Sequence, residues 1–354
     1  MNRFYLLFLF FIPIVAFSQE IKKEKDSISK SERDLFIEDH TNQFNVKLEF
    51  SNDIQSFKVP FNNQSVEIEP NLGFRYGVVL SYKFASVRIG IRPKVSGKSK
   101  EEKGDPKSFR IKFNLLFENW SHRFEYNRIK GYYISNQSIG EDLVSNSTHI
   151  QFPDLTTNVF SGSSSYKFNK NYSVRATLSQ TEIQLKSAGS FIPEISYWHY
   201  SFDGLDKYIN KDGDEIIRTN YLKSSGVALA LNLGYYYTFV YKKWYANAFI
   251  IPGIGMDFNN STQYTDVNST NSKSQDLVLS GHGGIGIGYN SEKFFFGASL
   301  SKRNTNEKAN EDKIQFDSSK NSFFVFFGYR FKAPKQIAKP IDGLEDKIPI
   351  LKND

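Results

Sequence analysis

From residue 44 onward the chain alternates between apolar and polar positions with a period of two. Phe44, Val46, Leu48 and Phe50 interleave with Asn45, Lys47, Glu49 and Ser51. Phe74, Tyr76, Val78, Leu80 and Tyr82 interleave with Arg75, Gly77, Val79, Ser81 and Lys83. The pattern continues with Val87, Ile89 and Ile91 against Arg88, Gly90 and Arg92, then Phe109, Ile111, Phe113 and Leu115 against Arg110, Lys112 and Asn114. Successive side chains of a strand leave on opposite faces, so each stretch predicts a strand with one apolar and one polar face. A one-sided soluble sheet has the same period. Here, however, one face is large and aromatic while the other carries Arg, Lys, Gly and Ser, the division between lipid and lumen in a membrane barrel.

Further strands are predicted at His122–Tyr133, Thr157–Phe168, Val227–Phe239, Trp244–Gly255, Leu277–Tyr289, Phe294–Ser301 and Phe323–Phe331. Imperfect alternation in the first two of these predicts a bulge in each. Beyond the leader no helical period is expected. Short turns at Phe84–Ser86, Glu118–Ser121, Asn169–Asn171, Val240–Lys243 and Asn290–Lys293 alternate with long polar loops near Asp53–Asn71, Val95–Lys107, Ser135–Leu155, Asp203–Ser225, Asn259–Asp276 and Asn304–Asn321. Short turns belong to the periplasm and long loops to the cell exterior, with both termini periplasmic. Tyr82, Phe84, Trp120, Tyr172, Phe239, Tyr241, Trp244, Tyr289, Phe294, Tyr329 and Phe331 flank the short turns or end the last strand, and predict a periplasmic aromatic girdle.

One stretch resists the parity. Between the turn at Asn169–Asn171 and the loop at Asp203 lie roughly thirty residues, where one crossing needs about 9–11. The expectation is a single interrupted crossing, begun by Val174–Ser179 and finished by Ile195–Phe202. Gln180–Phe191 would then be an excursion into the lumen, because irregular backbone cannot face lipid. This gives an all-β, transmembrane, antiparallel up-and-down barrel of twelve strands, or fourteen if the interruption is a hairpin.

The N-terminus changes the picture next. Arg3 is the only charge before Glu20, and the apolar run Phe4–Phe17 ends among the small residues Ala16 and Ser18. That is a signal peptide with cleavage expected after Ser18, and it is shorter than the ~20 residues a spanning helix needs. The chain divides into a signal peptide (1–18), a periplasmic N-terminal segment (19–42), the outer-membrane barrel (43–331) and a disordered, Lys- and Pro-rich periplasmic tail (332–354). With no Cys, a lipoprotein anchor and a disulfide scaffold are excluded. A charged fraction of 23% and mean hydropathy of −0.46 suggest a soluble chain, yet there are 33 Phe and 20 Tyr. A barrel reconciles the two, since lipid-facing and lumen-facing residues average out. The net charge of +7 falls to +6 once Arg3 leaves with the signal. Its basic residues are spread through strands, which argues against nucleic acid as a partner.

The sequence resembles a known family at several places: Glu69-Pro70-Asn71 before a Gly-containing strand ending Ser81-Tyr82-Lys83-Phe84, Arg128-Ile129-Lys130-Gly131-Tyr132-Tyr133, Arg175-Ala176-Thr177-Leu178-Ser179-Gln180-Thr181-Glu182, and Lys186-Ser187-Ala188-Gly189-Ser190-Phe191. These resemble the Bacteroidota barrels grouped as domain of unknown function 4421, over roughly Phe44 to Phe331. The resemblance implies an outer-membrane barrel and supplies no catalytic residues. Gly328-Tyr329-Arg330-Phe331 resembles the aromatic-terminated signal of such barrels, whose partners are outer-membrane lipids and the barrel assembly and export machinery.

Candidate chemistry is sparse. Ser280 and His282 share a strand face, and His199 lies near Glu194 and Ser196, so a barrel-embedded lipid hydrolase is a minor alternative. No Cys and no close His pair exist for a metal site, and no cofactor is expected. Gly284, Gly286 and Gly288 precede no helix, so they read as wall packing rather than a phosphate loop. Asp212-Gly213-Asp214-Glu215 reads as a solvated charge run before it reads as a Ca²⁺ loop. What remains is a lumen-facing basic set, led by Arg75, Arg88, Arg92, Arg110, Lys112 and Arg175 as a candidate anion-binding wall, and the luminal motif Gln180, Glu182 and Lys186. Either the wall meets water and favours a small anionic solute, as in a passive channel or ligand-binding barrel, or ion pairs with Glu49, Glu125 and Glu182 fill the barrel, as in a non-transporting scaffold or assembly factor.

Overall fold

A computed structural model describes residues 32–347, apart from 53–55, 62–63, 92–93, 136–148, 211, 307–314 and 317–318. The expected signal peptide, its cleavage point and Arg92 lie outside the described residues. Twelve strands form the wall. They are β1 (Gln43–Ser51), β2 (Arg75–Tyr82), β3 (Ala85–Ile91), β4 (Lys107–Leu116), β5 (Trp120–Ile134) and β6 (Gln151–Tyr166). The other half comprises β7 (Ala188–Asp203), β8 (Tyr221–Tyr241), β9 (Trp244–Tyr264), β10 (Ser269–Asn290), β11 (Phe294–Asn306) and β12 (Ser319–Lys332). Each pairs antiparallel with the next, and β12 pairs with β1, from Phe324 opposite Ser51 to Lys332 opposite Gln43. The barrel is closed.

Its outside is apolar. On β8, Val227, Leu229, Leu231, Leu233, Tyr235, Tyr237 and Phe239 are exposed, while Ala228, Ala230, Asn232 and Thr238 between them are buried inside. Twelve steps from Val227 to Phe239, at about 3.4 Å each and ~45° tilt, give about 29 Å of height, close to a bilayer's hydrocarbon core of about 30 Å. Aromatics crowd the short-turn end, where Trp244 packs edge-on to Tyr289 and Phe296. Such a surface is built for a membrane.

The strand predictions hold, with instructive differences. The β5/β6 register breaks once, between Lys130 opposite Thr156 and Tyr132 opposite Phe152. There Gly131 alone, at φ 98°, stands against three residues of β6, Pro153 to Leu155, so the extra length is on β6. The predicted loop Asn259–Asp276 is largely strand, because β9 and β10 stay paired out to Tyr264 and Ser269. Apolar alternation stops at the membrane edge, but backbone pairing does not. Ser96 caps a short helix, Gly97–Lys103, accepting a hydrogen bond from the Ser99 amide at 3.3 Å.

Two segments depart further from expectation. Val174–Ser179 does not begin the seventh crossing; Arg175–Leu178 is a single helical turn inside the barrel. β7 alone spans, because Ala188 already pairs with Thr238 near the short-turn end, so nothing upstream is needed for length. The excursion is therefore residues 167–187, and Phe191 belongs to the lipid-facing wall. In the expected disordered tail, Lys335–Lys347 forms a helix instead. Ile337, Ile341 and Leu344 recur at helical spacing there, and Asp342 docks on Lys83 at 2.7 Å and on the Tyr82 hydroxyl at 3.2 Å.

The upper barrel holds a hydrophobic core. A hairpin, Phe57–Phe61 and Gln64–Glu69, pairs with β5 through Ile68 opposite Ile134 and with residues 315–316 on its other edge. Phe57, Val59, Phe61 and Ile68 pack there on Tyr132, Phe152, Tyr200 and Phe202 from the inner face of β5 to β7. Burying such side chains is worth roughly 1.5–3 kcal/mol each. This is the long-loop end of the barrel, filled from within.

Candidate functional site

Along the inner wall, Arg75, Arg88, Arg110 and Lys112 lie on the luminal face of β2 to β4, as the alternation requires. Carboxylates meet Arg88, Arg110 and Lys112. Glu49 on β1 accepts from Arg88 and from Lys47 Nζ at 3.0 Å. Arg88 reaches Glu49 by crossing β2 at Gly77, where a Cβ would come within 3.0 Å of the guanidinium Nε. Glu125 on β5, directly opposite Lys112, accepts from Lys112 Nζ at 3.1 Å and from Arg110. Farther round, Arg123 on β5 pairs with Glu194 on β7. Pairs of this kind cancel each other's distant field, and removing one partner strands the other in a poorly solvated space.

Arg175 is not on the wall. It belongs to the plug, residues 167–187, which enters between β6 and β7 at the short-turn end. At the plug's centre the Glu182 carboxylate accepts from Arg33 Nη2 at 2.7 Å, Arg175 Nη1 at 3.1 Å and Ser173 Oγ at 2.5 Å. Burial alone would raise its pKa; Arg175 and Arg33 more than offset this and hold it at about 2. Lys167, whose Nζ donates to the Tyr172 carbonyl at 2.7 Å, is drawn down to about 8 by burial. Gln184 ties the plug together, its Oε1 accepting from the Ser173 amide at 2.8 Å and its Nε2 donating to the Asn171 carbonyl at 2.7 Å. Lys186 stands at the exit of the plug, exposed, with its ammonium 5.2 Å from the Phe36 ring centre.

The plug is fastened around the wall. Asn45 Nδ2 on β1 donates to the Ser179 and Gln180 carbonyls at 3.1 and 2.7 Å, and Lys47 Nζ to the Leu178 carbonyl at 3.0 Å. On β12, Arg330 Nε donates to the Gln180 carbonyl at 2.9 Å. Gln180, at φ 53°, turns that carbonyl toward both strands. Asn290 Nδ2 at the end of β10 donates to the Glu182 carbonyl at 3.2 Å, and Arg175 Nε donates to the Leu116 carbonyl of β4 at 2.8 Å. The segment thus leaves the wall at β6/β7 and is held at β1, β4, β10 and β12.

The N-terminal segment completes this floor, a part the alternation did not reveal. Ile37–Asp39 pairs antiparallel with Glu182–Gln184, so the described end of that segment is a strand of the plug. Its one sequence signal is the apolar Leu35-Phe36-Ile37 in a charged stretch; Ile37 is buried.

Of the residues considered for hydrolysis, His199, Glu194 and Ser196 are not gathered, while Ser280 and His282 keep to one face of β10. His199 faces outward, its Nδ1 2.9 Å from the Gly226 carbonyl, whereas Glu194 is held by Arg123 inside and Ser196 Oγ accepts from Asn232 at 2.8 Å. His282 faces the lumen, edge-on to Phe249 at 4.9 Å. Gly284, Gly286 and Gly288 leave room for Phe249, Asn247 and Tyr245 of β9 to lie across β10. In the acidic loop, the Asn210 Oδ1 accepts from the Asp212 and Asp214 amides at 3.0 and 2.8 Å, an ordinary side-chain-closed turn. Among the described residues no three His, Asp or Glu side chains form a metal-binding group.

Over residues 25–331 the sequence matches the family described as Domain of unknown function (DUF4421). No curated protein matches it. Among solved structures, the outer membrane protease OmpT of Escherichia coli is similar at 10% identity and a TM-score of 0.39, over 82% of this chain and 97% of that one. The translocator domain of the autotransporter NalP from Neisseria meningitidis is similar at 10% identity and a TM-score of 0.38, over 85% and 92% of the respective chains.

Proposed function

As the chain belongs to this family, which has no assigned activity, we propose from its geometry that it is an outer-membrane barrel whose lumen is shut, serving as an envelope scaffold that displays its long loops. The observation that carries this reading is the plug, a hydrogen-bonded floor fastened to four separate strands of the wall. The ion-paired inner wall and the apolar core of the upper barrel support it from either side. The outer apolar belt supports the membrane setting, and export by a signal peptide cut after Ser18 would bring the chain there. In this reading Arg88, Arg110, Lys112 and Arg175 hold the interior together, and no small anionic solute passes them.

Conductance tests it. The full-length protein in planar bilayers should show no steady current, at either polarity, while a porin reconstituted in parallel conducts. Stable ohmic channels from the folded protein would overturn the closed-lumen reading and restore the passive pore, whose selectivity the basic wall would then set.

A further inference from the structure

On the outer surface one sector breaks the rule that like charges avoid each other across strands. Lys107 on β4 stands directly opposite Lys130 on β5, and Arg128 lies two residues along β5 on the same outward face. All three are solvent-facing. Opposed like charges on neighbouring strands are unfavourable. Asp154 answers Lys130 at 2.8 Å, but among the described residues no carboxylate is paired with Lys107 or Arg128. A local conflict that the chain answers only at Lys130 points to a partner outside the chain for the other two cations.

The position of the cluster says what kind. Rung by rung toward the long-loop end, the outward face of this sector runs from Ile111 and Tyr126, to Phe109 and Arg128, to Lys107 and Lys130. The cations therefore begin where the apolar belt ends, and they point sideways into the bilayer's surface. Beside Arg128 stands Asn158, which accepts from the Tyr126 hydroxyl at 3.3 Å. A ligand with a charged head at this rung would have its apolar part against Phe109 and Ile111. Arg at the centre offers a planar fork of donors suited to a phosphate.

We propose that Lys107, Arg128 and Lys130 form a binding site for the phosphate groups of a phosphorylated glycolipid in the outer leaflet. This rests on the membrane reading above, with the long loops outside the cell. The cluster would hold an annular lipid in place and, through it, fix the depth of the barrel.

The test uses full-length protein, refolded in neutral detergent and titrated with diphosphorylated lipid A or with the same lipid after removal of its phosphates, bound lipid being counted by native mass spectrometry. The phosphorylated form should bind about tenfold more tightly. The K107Q/R128Q variant should lose that preference, and the K223Q/K302Q variant, which removes two other outward cations, should keep it. Equal binding of the two lipids by the unaltered protein, or an undiminished preference in K107Q/R128Q, would overturn the site. Insertion into phosphatidylethanolamine vesicles, read by heat-modifiable gel migration, separates the two levels. A chain that never inserts removes the membrane reading and the site with it, whereas an inserted barrel without phosphate preference removes the site alone.

Discussion

The Glu182 carboxylate meets two guanidinium groups and a hydroxyl in a space closed to water. Its two cations come from different parts of the chain, Arg33 before the barrel and Arg175 within the plug, so one side chain joins the N-terminal segment to the wall-bound one. Glu182→Gln would leave Arg175 buried without its counter-charge and Arg33 with Glu118 alone, at 3.8 Å, a change that costs about 3–5 kcal/mol in comparable sites. The urea midpoint of the heat-modifiable species should fall accordingly, while Asp212→Asn, at an exposed loop, should leave it unchanged. Equal midpoints for the two variants would remove Glu182 from the centre of the plug. The pH dependence follows from the same contacts. A carboxyl held at about 2 when folded, against 4.5 when free, stabilises the fold fully above the free value and loses that contribution as pH falls toward 2. The gap between the unaltered protein and Glu182→Gln should thus be constant from neutral pH to about 5 and shrink below it.

At the scale of elements, the wall was legible because each strand carries its own signal. Leu229, Leu231 and Leu233 against Ala230 and Asn232 announce two faces without help from any neighbour. The plug has no such self-contained signal. Asn45 and Arg330 look like ordinary luminal polar residues until the carbonyls of Ser179 and Gln180 are brought beneath them. Glu182 was expected to pair with an inward Arg, and Arg175 does so, but Arg33 lies 149 residues away, in a segment expected to be periplasmic. The C-terminal helix was not anticipated, because Lys and Pro dominate its composition; the spacing of Ile337, Ile341 and Leu344 is the signal that was passed over. Its dock is slight, with Asp342 half-exposed where it meets Lys83. Exposed ion pairs are worth about 0–1 kcal/mol. A chain ending at Lys332 should therefore refold with an unfolding free energy in urea within about 1 kcal/mol of the full chain's, and its Tyr82, now buried, should become open to solvent quenchers when replaced by Trp. A collapse of refolding yield would mean that the helix belongs to the barrel's core structure.

For the whole molecule, orientation follows from an asymmetry between the two ends. At one end β8 and β9 are joined by Lys242 and Lys243 alone, β10 and β11 by Ser291–Lys293, and the plug and both described chain ends gather there. At the other end the chain carries the capping hairpin, a short helix and strands that run past the apolar belt as far as Tyr264 and Ser269. Barrels of this class keep short turns in the periplasm and long loops outside. Because the chain has no Cys, a single introduced thiol is an unambiguous probe. On intact cells a membrane-impermeant maleimide should label Asp212→Cys and Asn268→Cys, and should reach Lys243→Cys and Glu292→Cys only after the outer membrane is opened. The closed lumen sharpens the expectation, since a reagent entering from outside meets the apolar core and then the plug before it could arrive at Lys243. Labelling of Lys243→Cys on intact cells, with Asp212→Cys silent, would invert the barrel and place the Arg128 cluster in the inner leaflet. Labelling of all four would mean that the lumen admits a molecule of that size, and the plug would have to be read as a gate rather than a floor.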